Sequence, residues 1–204
     1  MRPRLPFFGH DGMRYRALAT CVWIIVAIGA FLFSSGLLDY WESRYAQNEI
    51  ASKWTETPSR EPGSAIPEGS SLAKLSIPRL DATFYVVEGT DAESLKRGPG
   101  HLEGSAMPGQ SGNCVIAGHR DTHFRVLKDI RAGDEVLLER DGHEFRYRVD
   151  GSQIVMPTDT HSLQPTSEAV LHLITCYPFY YLGSAPKRFI VHAALESAPL
   201  SASR

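Results

Sequence analysis

Residues 136–149, VLLERDGHEFRYRV, decide how the rest of the chain is read. At their centre Asp141-Gly142 supplies the two positive φ angles of a type I′ turn, whose twist lets two strands fold back on one another. Beyond the turn Phe145, Tyr147 and Val149 alternate with Glu144, Arg146 and Arg148, so apolar side chains line one face and charges the other. The segment predicts a β-hairpin with one buried face.

Outward from the hairpin the chain continues in the same style. Short β-rich runs occupy 74–78, 82–87, 113–117, 169–175 and 189–195, separated by turn residues. One short helix interrupts them: Thr90 and Glu93 have the spacing of a capping box, and Lys96-Arg97-Gly98 forms a C-terminal stop. Strands this short, with so little helix, argue for a closed β-barrel or a sandwich.

Before this β-rich part, residues 17–38 (ALATCVWIIVAIGAFLFSSGLL) carry no charge. They are long enough for a membrane helix, which needs about 20 residues. Arg2, Arg4, Arg14 and Arg16 precede the run, while Asp39 and Glu42 accompany a single Arg44 after it, so the N-terminus is expected in the cytoplasm and the remainder outside. A cleaved signal peptide is the weaker alternative, because the run exceeds an apolar signal core of about 7–15 residues and no A-x-A site follows. Residues 39–54 can prolong the helix, and the Pro-, Gly- and Ser-rich stretch 56–71 reads as a linker. The expected organisation is a cytoplasmic segment 1–16, a transmembrane helix 17–38, a stalk and linker 39–71, a folded domain 72–197 and a tail 198–204.

Composition narrows the function. The 204 residues carry a formal net charge of -2 and no Lys/Arg block, which excludes a nucleic-acid partner. Cys21, Cys114 and Cys176 form neither a disulfide framework nor a C-x-x-C zinc signature. Cys176 stands in LHLITCYPFY (171–180), at the end of an apolar strand that Pro178 stops, so its thiol is placed at a rim. Such a thiol becomes a nucleophile where a base and a cation stand near, since the thiolate is the reactive form. Among the eight histidines His119 is the foremost base, because it ends the run Val115-Ile-Ala-Gly-His119. His101, His123 and His161 read as polar loop residues, His172 and His192 as strand residues, His143 as a hairpin residue, and His10 lies before the membrane run. Lys187 and Arg188 are the cation candidates, and Arg188 follows Cys176 by 188 − 176 = 12 positions, enough for the chain to return beside the thiol. A guanidinium offers fixed donors to a developing oxyanion and keeps its charge.

These residues together resemble the sortases, membrane-anchored cysteine transpeptidases. The resemblance is carried by Leu173-Ile-Thr-Cys176, by His119 in Ala117-Gly-His-Arg120 and by Arg188 at the head of the next strand. TCYPF, GHRDTHFRVLKDIRAGDEV and LSIPRLDATFYVVEG look like the class D branch, and the match extends over about residues 72–195. It implies a mainly β fold, a closed eight-stranded barrel with short helices, preceded by one N-terminal transmembrane helix. It also implies that Cys176 attacks an LPXTG-like sorting signal on exported proteins, forming an acyl-thioester that an amine of the cell envelope resolves. His119 would move the protons and Arg188 would steady the oxyanion, while Thr175 would shape the pocket. No cofactor is expected; calcium is left open, Asp121 and Asp134 being scattered acids rather than a dense cluster. Cys114 reads as a small core residue, with a Cys114–Cys176 disulfide as the alternative. Hydrolysis in place of transfer is the rival activity. A tethered β-barrel that only binds peptide or sugar is the non-enzymatic rival.

Overall fold

The computed structural model describes residues 11–54, 66–181 and 183–201. The hairpin forms as the dipeptide requires: Asp141 and Gly142 have φ of 51° and 77°. They join β5 (Glu135–Arg140) to β6 (His143–Val155), and Tyr147 and Val149 of β6 are buried as the alternation predicts. The remaining strands are β1 (Ser71–Ile77), β2 (Ala82–Glu88), β3 (Gly100–His101), β4 (Gly112–Gly118), β7 (Ala169–Tyr177) and β8 (Lys187–Ser201).

These eight strands close in the order β1-β2-β3-β4-β7-β8-β6-β5, and β1 pairs with β5 to complete the ring. Closure removes the unpaired edges that an open sheet would expose. The barrel predicted by the family resemblance is therefore present. Inward positions of every long strand fill the interior, among them Leu75, Val86, Ile116, Leu138, Tyr147, Leu171 and Val191. Tyr147 brings a hydroxyl into this core, and it accepts a hydrogen bond from the Gly109 N–H at 2.8 Å. Two neighbouring pairs run parallel, β2 with β3 and β4 with β7. The β4–β7 pairing matters most, because it sets the ends of two distant segments side by side. β8 continues past residue 197 to Ser201.

Helix α2 (Ala92–Arg97) corrects the cap expected from sequence: Asp91, not Thr90, is the N-cap. Its carboxylate accepts from the backbone N–H groups of Glu93 and Ser94 at 2.8 and 3.2 Å, satisfying two donors that a helix start leaves without partners. Hydrogen bonds from Ser94 and then Glu93 push the Asp91 carboxyl down to about 2. Gly98 ends the helix in extended rather than left-handed backbone, at φ -175°.

Helix α1 spans Asp11–Trp54, 44 residues, and the chain divides into two compact units between Trp41 and Glu42. In the first unit Leu18, Trp23, Ile25, Phe31 and Phe33 are exposed. Among the described residues no helix is long and apolar enough to cross a membrane. Within the 17–38 run the side chains of residues 17 and 35–38 lie outside the described residues, as do residues 1–10 and most of the linker, 55–65. From Glu42 onward the helix belongs to the barrel unit.

Candidate active site

The register of three neighbouring strands assembles the site. In the parallel β4–β7 pair Gly118 stands opposite Thr175 as the last pair of the ladder, and His119 and Cys176 are the residues that follow them. In the antiparallel β7–β8 pair Cys176 faces Arg188 directly. Adjacent strands lie about 4.8 Å apart, so imidazole, thiol and guanidinium share one end of the sheet. Cys176 and Arg188, a cross-strand pair, also share one face. Cys114 and Ile116, Leu171 and Leu173, and Val191 and Ala193 point into the core. Alternation therefore turns Cys176 and Arg188 outward, His119 follows the last residue of β4, and all three are half-buried.

The thiols differ in kind. Cys114 is buried, and burial pushes its thiol up to about 12, which suppresses the reactive thiolate. Both Cys114 and Cys176 are free. Cys114 pairs with Leu171, so Cys176 lies 176 − 171 = 5 positions further along the sheet. At about 3.3 Å per residue that is about 16 Å, beyond the reach of a disulfide.

Backbone around the site is fixed by small and buried groups. Thr175 is buried and its hydroxyl donates to the Gly118 carbonyl at 2.7 Å, tying β7 to β4 one residue before Cys176 and His119. A Cβ on Gly118 would stand 2.7 Å from the Phe124 ring, so only glycine lets that ring close over the strand end. The Phe124 N–H donates in turn to the His119 carbonyl at 3.0 Å. On the far side Arg188 donates from Nη1 to the carbonyls of Lys187 and Ala185, at 3.0 and 3.3 Å.

The connection from β7 to β8 is strapped to the segment that follows His119. Arg120 Nη2 donates to the carbonyls of Tyr181 and Gly183 at 2.8 and 3.0 Å, and Arg125 lies over the Tyr180 ring at 5.3 Å. Tyr177, Phe179 and Phe189 pack together at the rim, with Phe179 and Phe189 ring centres 5.3 Å apart.

Sequence reading placed His119, Cys176 and Arg188 at strand ends, and the fold brings all three together. It misread two other histidines. His123 is buried, with Nε2 2.9 Å from the Ser43 hydroxyl, and His101 is buried between Glu88 and Ser105, at 2.9 and 3.0 Å. Neither is polar surface. Nothing in the local sequence separates a loop histidine in water from one covered by a distant helix. Arg120 was likewise missed as the strap of the rim, although its place beside His119 was visible.

The family model for the Sortase domain matches residues 75–196. This chain belongs to the sortase family. It is 41% identical over 126 residues to Sortase D of Bacillus subtilis, covering 61% of this chain and 63% of that protein. It is 28% identical to Sortase SrtE1 of Streptomyces coelicolor, covering 79% of this chain and 51% of that one. The sortase described here thus spans 63% and 51% of the lengths of these relatives. Among solved structures, a Clostridium perfringens Sortase D5 transpeptidase aligns with a TM-score of 0.64 at 25% identity, over 76% of this chain and 99% of the other. The catalytic domain of Bacillus anthracis SrtD aligns with a TM-score of 0.57 at 34% identity, over 68% and 95%.

Proposed function

We propose that this sortase is a membrane-anchored cysteine transpeptidase. It cleaves an LPXTG-like sorting signal on exported proteins and passes the acyl group to an amine of the cell envelope. The observation that carries the reading is the register that sets Cys176 opposite Arg188 and one step along from the Gly118–Thr175 pair.

In this reading the Cys176 thiolate attacks the scissile carbonyl carbon, forming a C–S bond and an oxyanion beside the Arg188 guanidinium. Collapse breaks the C–N bond, and the His119 imidazolium gives its proton to the departing amine. An acyl-thioester remains on Cys176. The incoming amine attacks it and loses its proton to His119; the C–S bond then breaks and the thiolate returns. Thr175 acts on the backbone that carries these groups and does not react. Nucleophile, proton carrier and oxyanion partner all come from this chain, so the reaction as written uses no cofactor.

The apolar run 17–38 serves as the anchor, with the N-terminus cytoplasmic and the barrel outside the membrane. Exposed Trp23, Phe31 and Phe33 support that placement, because large apolar surface of this kind belongs in lipid rather than water.

The test is intact-mass analysis of reduced protein incubated with LPXTG-like and LPXTA-like peptides, with Cys176→Ala as the control. A cysteine-dependent adduct with the mass of the peptide's N-terminal fragment is expected. Folded, reduced protein that forms no adduct and cleaves no peptide overturns the reading.

A further inference from the structure

The end of helix α1 is built into the barrel. Ile50 is buried, and the Trp54 ring meets Tyr85 at 5.7 Å. Gln47 pairs with the outside of β2 much as a strand would. Its Oε1 accepts from the Tyr85 N–H at 2.8 Å, and its Nε2 donates to the carbonyls of Tyr85 and Arg97 at 3.0 and 2.8 Å. The glycine at 98 permits this approach, since a Cβ there would lie 2.6 Å from Gln47 Nε2.

One turn earlier Ser43 meets the segment that follows His119. Its Oγ lies 2.9 Å from Nε2 of His123, and both residues are buried. His123 begins a 3₁₀ turn, His123–Asp129, and its ring stands edge-on to Phe84 at 6.0 Å. The following residue, Phe124, covers Gly118 and holds the His119 carbonyl. A continuous set of contacts thus runs from the helix to the backbone of His119.

Charge fits this role. Burial and then the proximity of His119 push His123 down to about 4, while Asp121 acts weakly the other way. His123 is therefore neutral and hydrogen-bonded at neutral pH and adds no positive charge of its own beside His119.

We propose that Ser43 and His123 are positioning residues for His119, and that the helix segment from Glu42 is part of the catalytic unit. The catalytic consequence rests on the transpeptidase reading. Removing the Ser43 hydroxyl leaves a buried ring nitrogen without its partner and loosens the turn that holds His119. The outer face near Cys176 is untouched, so substrate binding should survive.

The experiment compares full-length wild type with Ser43→Ala, Ser43→Thr and Gln47→Ala. Glu49→Gln, in an exposed ion pair with Lys53 on the same helix, is the control. Turnover is read with whichever peptide forms the acyl-enzyme. Independently of substrate, the pH profile of Cys176 alkylation by iodoacetamide is read by peptide mass, and unlabelled Cys114 certifies that each variant is folded. Ser43→Ala should lower kcat about five- to tenfold, from one lost hydrogen bond to a buried partner, with KM changed less than about twofold. Ser43→Thr should restore it. The alkylation profile should move in Ser43→Ala and Gln47→Ala but not in Glu49→Gln. Folded Ser43→Ala and Gln47→Ala with wild-type profiles and wild-type kcat overturn the proposal. A wild type that turns over no peptide sinks the transpeptidase reading instead, and the alkylation profiles still decide the positioning role: shifted supports it, unchanged overturns it.

Discussion

Acidification should unfold the barrel unit over a range set by histidines rather than carboxylates. His123 and His172 are each 5% exposed. Both are pushed down to about 4, by burial first, then by His119 for His123 and by His192 for His172. In the unfolded chain each takes up its proton near pH 6.5. Between these values the unfolded state binds a proton that the native state refuses, so stability rises with pH across the window and is lost as pH falls from about 6.5 toward 4. A separation of about 2.5 pH units corresponds to about 3 kcal/mol per group. The two together remove about 6 kcal/mol, comparable with the whole stability of a small domain. Urea unfolding of the compact unit from Glu42, at pH values between 4.5 and 7, measures the slope, which one differential proton sets at about 1.4 kcal/mol per pH unit. His172→Gln keeps an amide beside Asn113, which now meets the His172 Nδ1 at 2.7 Å, and removes the titration. Its curve should be flatter by about one proton. Equal slopes in wild type and variant, or stability that grows on acidification, would refute the reasoning.

Other consequences can be measured directly. Gly118→Ala puts a methyl group 2.7 Å from the Phe124 ring and should cost about 1–3 kcal/mol in urea unfolding; a midpoint equal to wild type would contradict the close packing drawn there. Iodoacetamide at pH 8 should label Cys176 and spare buried Cys114, and equal labelling would show that the barrel opens far more readily than its burial implies. Thr175→Val keeps the branched shape but loses the bond to the Gly118 carbonyl. Stability should fall by about 1 kcal/mol and acyl transfer with it, and unchanged turnover would remove Thr175 from the support of the site.

Much of the barrel was legible because its signals are local. Asp141-Gly142 names its own turn through the φ angles it tolerates, and the alternation around Tyr147 names its own buried face. Where two neighbouring residues compete for one role, local signals fail: Thr90 and Asp91 are both acceptable caps, and the choice fell to the carboxylate that satisfies two N–H groups at once. The strand-end positions of His119, Cys176 and Arg188 were also visible, as was the family pattern they form.

What the chain alone determined, then, is which segments become strands, where they stop, and which side chains stand at the stops. Tertiary structure decided which stops are neighbours. The parallel pairing of β4 with β7 joins segments separated by the whole β5–β6 hairpin, and no local property of either strand encodes that register. Tertiary structure also made His123 a buried support, because its partner Ser43 lies 123 − 43 = 80 positions away on a helix that reads in sequence only as a stalk. Burial of a polar ring depends on what covers it, and that is a property of the folded chain rather than of the residues on either side.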